Sequence, residues 1–240
     1  AKKVIAVSQT TAQDLQRLYQ LPADQVQTIY NAISPEYKPA SPEDILRVRQ
    51  KYQIPEKYIL HVGRIDVKKN LPTLVKAFDL YHKQSGDTRT ALVLVGQVYP
   101  KSPDPDLIPT IERLGLQQSV ILTGGVASED LPGLYSGAFC SVMASHHEGF
   151  GLTLIEAMAC GSPVVAHPGG AMIEVCRGAA EMVDAPTPDL LAGAFSRLAN
   201  DSQRRESLVQ AGFTRARAFQ RETNARATLD LYRSLVKKNG

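Results

Sequence analysis

The sequence of 240 residues predicts an α/β fold with a doubly wound parallel sheet. Short apolar segments alternate with segments of helical periodicity, and a glycine follows most of the apolar segments. Strands that are apolar on both faces are typical of a buried parallel sheet, and their alternation with helices is typical of repeated βα units. Strands are expected at 58–63, 91–96, 119–124, 139–144, 163–167 and 180–184. Helices are expected near 71–84, 107–115, 129–137, 151–160 and 171–177.

The two ends of the chain depart from this central pattern. Residues 1–38 predict a strand at 4–8, a helix at 10–21 and a strand at 26–31, and the proline-punctuated segment 34–42 has the composition of a linker. After residue 185 the chain is predicted to be helical to its end, with breaks near Asn200 and Gln220. We therefore expect boundaries near residues 38 and 220.

Composition and charge narrow the classes of function. No apolar run approaches the roughly 18 residues of a membrane span, and no series resembles a signal peptide. Three cysteines within apolar segments argue against a disulfide framework and favour a reducing, cytoplasmic compartment. The net charge of +3 is too small to indicate a nucleic-acid partner. Residues 201–240 hold nine Lys and Arg against four Asp and Glu, which fits either contact with an anionic membrane face or a solvated helix surface.

The segment 148–165, EGFGLTLIEAMACGSPVV, is the most informative part of the chain. Gly149 and Gly151 flank Phe150, and glycines at such a turn permit close approach of a ligand or a positive φ. A helix is expected to begin near Gly151 and to end at Gly161. The free N–H groups of its first turn, at the positive end of the helix dipole, suit a phosphate.

Glu156 lies inside this predicted helix, on the same face as Leu152 and Thr153 one turn earlier. Helical side chains tilt toward the N-terminus, so the carboxylate can face a group that is held beside a bound phosphate. A ribose diol fits this position because a carboxylate accepts hydrogen bonds from two hydroxyl groups. The alternative is an ordinary solvated helix glutamate.

A second candidate site is GRIDVKKN, residues 63–70, at the end of the first strand of the predicted sheet. Arg64 and Lys69 would reach over the edge where the helix from Gly151 starts, if the strands are neighbours. Arg offers a planar fork and Lys a mobile point charge, a common pair for a diphosphate. The alternative is a solvated pair of lysines, Lys68 and Lys69.

Other segments carry weaker signals. The backbone of 123–126, TGGV, could contact the edge of a base, although a strand that ends in Gly-Gly is usually only a turn. His146, His147 and Glu148 are consecutive and lack metal-ligand spacing, so no metal site is expected. His61 and His167 are expected to serve packing or hydrogen bonding.

Missing motifs argue against three classes of enzyme. Gly149 and Gly151 lack the third glycine of a dinucleotide-binding fingerprint, because position 154 is Leu, and no GxxxxGK[ST] loop occurs. In GLYSG, residues 133–137, the serine stands one place too late for a nucleophile elbow. Dehydrogenase, P-loop ATPase and serine hydrolase functions lose support.

Three segments together resemble a known family. GRIDVKKN, ILTGGVASEDLPGLYSGA and EGFGLTLIEAMACGSPVVA, in this order and spacing, look like the donor-binding half of family 4 retaining glycosyltransferases of GT-B architecture. The E-x7-E motif with the following AMACGxPVV is specific, and the resemblance covers nearly the whole chain. It implies that 1–38 closes an N-terminal domain and forms the interdomain linker, that 39–220 is a Rossmann-like nucleotide-sugar-binding domain, and that 221–240 is a helix crossing back toward the N-terminal domain.

The resemblance also implies roles for individual residues. Arg64 and Lys69 would hold the donor diphosphate, Glu148 would contact the transferred sugar, and Glu156 would take the ribose hydroxyls. Backbone near Val126 would meet the base. The implied catalytic residues are Glu148, Arg64 and Lys69. The implied donor-binding residues are Gly63, Arg64, Lys69, Val126, Glu148, Gly149, Phe150, Gly151, Leu152, Thr153 and Glu156.

The implied reaction is transfer of a sugar from a nucleoside diphosphate to an acceptor with retention at the anomeric carbon, without a metal or cofactor. The segments resemble mannosyltransferases that use GDP-mannose slightly more than other branches. The acceptor, a glycan or a lipid-linked glycan, would bind through an N-terminal domain that the chain lacks, so turnover by this chain alone is expected to be weak or absent. The final helix would then expose an apolar face that invites self-association, formed by Leu229, Tyr232, Leu235 and Val236.

Two alternatives remain open. The chain could be a non-catalytic nucleotide-sugar-binding module that kept the sheet and lost the reaction. It could also be a GT-B epimerase or phosphorylase, although nothing in the sequence marks the pyridoxal lysine that a phosphorylase needs.

Overall fold

The computed structural model describes residues 2–237 and confirms the predicted fold class. Six parallel strands form one sheet in the order β5-β4-β3-β6-β7-β8, and two further strands, β1 and β2, form a separate parallel pair. Each strand expected from the apolar pattern is present with shorter ends. The strands are β1 Val4–Ala6, β2 Val26–Thr28, β3 Tyr58–Val62, β4 Ala91–Val95, β5 Val120–Gly124, β6 Cys140–Val142, β7 Val164–Ala166 and β8 Glu181–Met182.

The helices of the described residues follow the prediction with one addition. Helix α2 was not predicted, because the prolines before it indicated a linker. Pro42 occupies its first turn, where a missing N–H costs nothing, and the Ser41 hydroxyl accepts from the Asp44 amide at 3.2 Å. The helices are α1 Gln9–Tyr19, α2 Pro42–Lys51, α3 Leu71–Ser85, α4 Leu107–Arg113, α5 Leu131–Gly137, α6 Leu152–Ala159, α7 Met172–Cys176, α8 Pro188–Asn200, α9 Ser202–Ala216 and α10 Arg221–Lys237.

The order of the strands reverses at the centre of the six-stranded sheet. From β3 the chain adds β4 and β5 on one side, and it then returns to add β6, β7 and β8 on the other. Ile59 pairs with Cys140 and Leu60 with Ser141 across the reversal. In open α/β sheets, ligands bind in the crevice at the carboxyl ends of the strands at such a reversal. The loops that follow β3 and β6 therefore border the expected crevice.

Helices cover both faces of the sheet and bury strands β4, β6 and β7 completely, whereas the edge strand β5 is partly exposed. On one face, α3 and α8 contribute Leu74, Phe78 and Phe195, all fully buried. On the other face, α5 and α6 contribute Leu134 and Ile155. Each such side chain contributes about 1.5–3 kcal/mol through burial. This packing on both faces explains why the strands are apolar on both faces. It also fixes the positions of β3 and β6, whose carboxyl ends border the crevice.

The N-terminal unit β1-α1-β2 lies outside the main sheet, and Glu174 connects the two. Its carboxylate accepts hydrogen bonds from the amides of Gln9 and Thr10, at 3.0 and 2.9 Å, and from the Tyr30 hydroxyl at 3.1 Å. Helix α10 also reaches this unit, since the Asn224 amide donates to the Tyr30 carbonyl at 2.6 Å. The division into domains at residues 38 and 220 stays a prediction.

Helix α10 exposes much of the apolar face that the sequence predicted. Leu229, Tyr232 and Val236 are exposed, whereas Leu235 is half-buried. Self-association through this face stays a prediction. In the part of the chain that the structure describes, no helix has both the length and the hydropathy that a membrane crossing requires.

Candidate functional site

An ion pair joins the loops that follow β3 and β6. The Lys69 ammonium lies 2.7 Å from a Glu148 carboxylate oxygen, and fewer than a fifth of either side chain is exposed. Lys69 ends a short 3₁₀ turn that Asp66 caps by accepting from the Lys68 amide at 3.0 Å. The expectation that these two loops meet is therefore confirmed. The alternative of a solvated lysine pair is wrong for Lys69, although Lys68 is exposed.

Glu148 is held in place by the glycine loop that follows β7. The Ala171 amide donates to the Glu148 carbonyl at 2.9 Å, and Glu148 forms a parallel bridge with Gly170. Gly170 has a φ of +65°, and a Cβ atom there would lie 2.3 Å from the Glu148 carbonyl oxygen. Only glycine fits this contact. The Thr11 hydroxyl of α1 also donates to the Gly149 carbonyl, at 3.2 Å, so the N-terminal unit supports the same loop.

Helix α6 begins beside this ion pair. Gly151 precedes it with a φ of +93°, and no side chain caps its first turn. Gly151 thus adopts one of the two conformational roles that the sequence allowed, a positive φ, whereas Gly149 does not. The amides at Leu152 and Thr153 lie at the positive end of the helix dipole, which suits an anion.

Phe150 occupies a different environment from the one that a donor-binding side chain needs. Its ring is buried, with its centroid 6.1 Å from that of Tyr30 and 5.6 Å from that of Phe219. The side chain therefore anchors the 148–151 loop to the aromatic cluster of these three rings. Only the backbone of Phe150 is left to face a ligand.

Glu156 is buried, with 8% of its surface exposed, so the alternative of a solvated helix glutamate is wrong. The Tyr135 hydroxyl donates to one carboxylate oxygen at 3.0 Å, and the Tyr37 hydroxyl lies close enough to influence the pKa of this carboxyl. Burial raises the pKa of Glu156, although both hydroxyls oppose the shift. Burial of a carboxylate lowers the stability of the fold. Contact between Glu156 and a ribose stays a prediction.

Arg64 and Lys69 have different partners. The guanidinium of Arg64 lies over the Tyr99 ring, 4.5 Å from its centroid, and its Nε is 3.8 Å from a carboxylate oxygen of Asp66. With 61% of its side chain exposed, Arg64 is largely open to solvent. The sequence did not single out Tyr99, which supports the guanidinium through a cation–π contact.

His61 is fully buried on β3 close to the ion pair, and one of its ring nitrogens lacks a partner. Nδ1 lies 3.1 Å from the Val142 carbonyl, so the expectation of a hydrogen-bonding histidine is confirmed. Nε2 has no hydrogen-bond partner among the described residues. Burial lowers the pKa of His61 to about 4, which makes the ring neutral near pH 7. An unpaired buried acceptor costs about 1–3 kcal/mol and calls for an explanation.

The turn that follows β5 carries Val126, which was expected near a base. Val126 is half-buried against the core, and the Gln97 amide nitrogen would lie 3.0 Å from a Cβ atom at Gly125. The Gln97 side chain therefore covers the glycine turn next to Val126. Within residues 2–237, no group of three or more His, Cys, Asp and Glu side chains is arranged to hold a metal ion.

Comparisons with known proteins identify the family to which the chain belongs. The profile of the family described as "Glycosyl transferases group 1" matches residues 44–215. O-antigen chain mannosyltransferase B of Escherichia coli is 33% identical over 236 residues, which cover 98% of this chain and 61% of that protein. This chain thus spans about three fifths of the length of that relative.

Two solved structures share the fold. Sucrose-phosphate synthase from Thermosynechococcus elongatus is 28% identical with a TM-score of 0.84, over 99% of this chain and 59% of that one. Anabaena Alr3699/HepE in complex with UDP is 25% identical with a TM-score of 0.86, over 98% of this chain and 64% of that one. The family profile covers well over half of the sequence. The chain therefore belongs to the family Glycosyl transferases group 1.

Proposed function

We propose that this chain is the C-terminal, donor-binding part of a family 4 retaining glycosyltransferase, which transfers a sugar from a nucleoside diphosphate to an acceptor. The observation that carries the proposal is the Lys69–Glu148 pair, held at the strand-order reversal beside the uncapped start of α6. Membership of the glycosyltransferase family supports the class of reaction.

The donor diphosphate binds between two cations and a helix start. Lys69 and Arg64 supply positive charge, while the amides of Gly151, Leu152 and Thr153 donate hydrogen bonds. As the bond to the sugar breaks, negative charge grows on the leaving diphosphate, and these fixed groups stabilise it. Because the cations and amides neutralise this charge, the proposal needs neither a metal nor a cofactor.

Two carboxylates orient the rest of the donor. The Lys69 ammonium carries three N–H donors, so it can contact Glu148 and a phosphate oxygen together. Glu148 then accepts hydrogen bonds from hydroxyls of the sugar and steadies the positive charge that develops at the anomeric carbon. Glu156 accepts from the ribose hydroxyls, and backbone near Val126 contacts the base. Gly63 leaves room for the diphosphate at the end of β3.

The proposed sugar is mannose, with GDP-mannose as the first donor to test. The support is the similarity to a mannosyltransferase at 33% identity. The nucleotide is less constrained, since the 25% identical Anabaena protein was solved with UDP. Both nucleotides therefore belong in the experiment.

The acceptor, a glycan or lipid-linked glycan, would bind through an N-terminal domain. The support is that this chain spans only 61% of its mannosyltransferase relative. We accordingly expect the chain alone to bind nucleotide and to turn over weakly or not at all. Three free, buried cysteines support a cytoplasmic location, and the basic C-terminal stretch supports contact with a membrane face.

Calorimetric titration with UDP, GDP and ADP in parallel tests the proposal. Binding of at least one of them at millimolar concentration or below is expected. Absence of binding by all three at millimolar concentration would overturn the donor site. Binding without sugar transfer after an N-terminal domain is supplied would instead favour the non-catalytic module, and turnover of the sugar itself would favour an epimerase or phosphorylase.

A further inference from the structure

The tautomer of His61 follows from its one hydrogen bond. A carbonyl oxygen can only accept, so the Nδ1 that lies 3.1 Å from the Val142 carbonyl carries the proton. The ring is neutral near pH 7, and Nε2 is therefore a bare acceptor. It is fully buried, and no described residue donates to it.

This acceptor lies near the side chain of Lys69. A Cβ atom built on Gly63 would lie 3.2 Å from the Nε2 atom of His61 and 3.5 Å from the Cε atom of Lys69. The two side chains thus approach one point, and only the missing side chain of Gly63 leaves it open. The ammonium is one bond beyond Cε, and Glu148 takes one of its three N–H groups at 2.7 Å.

We propose that His61 is a positioning residue for Lys69, and that its Nε2 accepts a hydrogen bond from the Lys69 ammonium when a donor occupies the crevice. The inference rests on the proposed function. Binding of the donor draws Glu148 toward the sugar, and the ammonium then divides its N–H groups among His61, Glu148 and the diphosphate. No proton is transferred, and the ring remains neutral.

The proposed hydrogen bond would hold the Lys69 ammonium at a fixed position relative to the sheet. Lys69 lies on a loop, and a loop lysine has many rotamers. The hydrogen bonds from Nδ1 to the Val142 carbonyl on β6 and from Lys69 to Nε2 would connect the ammonium to two neighbouring strands. The diphosphate would then meet a cation held by the rigid part of the fold.

Two variants distinguish the roles of the two ring nitrogens of His61. His61→Asn places an amide where Nδ1 lies, so it keeps a donor for Val142 and loses the acceptor for Lys69. His61→Gln places its amide oxygen near the position of Nε2 and keeps that acceptor. If His61→Asn does not fold, His61→Leu, which also lacks the acceptor, takes its place. Thermal unfolding of every variant without ligand shows which of them are folded.

The test is a double-mutant cycle read by calorimetry with UDP, GDP and ADP. We expect His61→Asn to weaken the tightest of these by about fivefold or more, and to have no further effect in the Lys69→Ala background, because groups acting through one contact are not additive. His61→Gln should stay within about twofold of the native affinity on the same reasoning.

Two other results would overturn the inference alone. One is a native affinity in His61→Asn, and the other is an equal loss in the presence and in the absence of Lys69, which marks a merely structural role. If the native chain binds none of the three nucleotides, the proposed function falls and this inference falls with it.

Discussion

The Lys69 ammonium and the Glu148 carboxylate lie 2.7 Å apart across the two central strands of the sheet. The two residues are 79 positions apart in the chain. They meet because β3 and β6 are neighbours and their carboxyl ends reach the same edge. The fold thus places a cation beside a hydrogen-bond acceptor, the two groups that the proposed donor, a nucleoside-diphosphate sugar, would need.

Glu148→Gln should weaken the binding of the nucleotide sugar without weakening the binding of the nucleotide. The variant keeps the size of the side chain and loses the charged acceptor, so we expect weaker binding of GDP-mannose by about tenfold, since hydrogen bonds to charged groups contribute about 1.5–3 kcal/mol. Binding of GDP should change little or improve, because a negative charge near the diphosphate is removed. Parallel titrations with GDP-mannose and with GDP measure the change in affinity for each ligand. Equal losses for both would contradict a contact between Glu148 and the sugar.

Glu156→Gln should raise the stability of the chain and lower its affinity for nucleotide. Folding raises the pKa of Glu156 above its ordinary value of 4.5, mainly through burial, so the native state holds this proton more tightly. The native chain therefore loses stability as the pH rises from 4.5 through the raised pKa. At pH 7 we expect Glu156→Gln to raise the Tm by about 2 °C.

The same substitution should weaken nucleotide binding, because the ribose hydroxyls lose a charged acceptor. Scanning calorimetry from pH 4 to pH 8 should show the gain in Tm shrinking toward the acid end. A variant that is more stable and binds normally would remove Glu156 from the site. Tyr135→Phe is the matched control, because it removes one donor to Glu156 and leaves the carboxylate in place.

Glu174→Gln should loosen the N-terminal unit from the main sheet. Burial alone would raise the pKa of Glu174, but the amide and hydroxyl of Thr10, the amide of Gln9 and the Tyr30 hydroxyl outweigh it, and the net shift is downward. This stability is present above pH 4.5, the unfolded value, and is lost as the pH falls through the lowered pKa. At pH 7 the variant should lose about 1–2 kcal/mol.

Chemical denaturation at pH 7 and at pH 3 measures this difference, which should be smaller at the lower pH. The exposed Glu206→Gln on α9 serves as the control and should change stability little at either pH. An equal loss for Glu174→Gln at both pH values would contradict the role of its charge.

Gly170→Ala should lower the free energy of unfolding by more than the strained backbone conformation alone explains. Gly170 and Gly86 have nearly equal φ angles, +65° and +67°, but a Cβ atom at Gly86 meets nothing within 4 Å. Gly86→Ala should therefore cost about 1 kcal/mol through strain only. Gly170→Ala adds a clash with the Glu148 carbonyl, so we expect a further loss of about 1–3 kcal/mol and weaker donor binding. Equal costs in denaturant titrations would contradict the contact.

The sequence predicted the architecture well, because long-range order here follows from local patterns. Apolar runs such as 58–63 and 91–96 have the length and composition of buried strands, and their alternation with helices indicates a parallel sheet. Helix α2 was missed because its signal, Ser41 followed by Pro42, lies within a run of prolines that resembles a linker. Ser41 as an N-cap, with two acidic residues in the first turn, was the available signal.

The site was predicted only as far as its residues lie in recognisable segments. Lys69 and Glu148 stand in such segments, and strand order brings them together. Two supports of the site lie outside these segments, Tyr99 under Arg64 and Glu174 on α1, and Tyr135 lies within one but its bond to Glu156 was not foreseen. These contacts depend on how helices and loops pack in three dimensions, which no local periodicity encodes.

The most direct test of the donor site is the nucleotide affinity of Lys69→Ala beside a matched lysine. Lys57 precedes β3, at the opposite end of the strand that Lys69 follows, and it also pairs with a carboxylate, Asp87, at 2.5 Å. Lys57→Ala therefore removes an equivalent ion pair far from the crevice, and thermal unfolding should be followed for both variants.

Calorimetry with UDP, GDP and ADP gives the result. We expect Lys69→Ala to weaken the tightest nucleotide by about tenfold or more, since a charge-assisted contact contributes about 1.5–3 kcal/mol, and Lys57→Ala to stay within about twofold of the native affinity. Native affinity in a folded Lys69→Ala variant, or equal losses in the two variants, would contradict the assignment of the diphosphate to this end of the sheet.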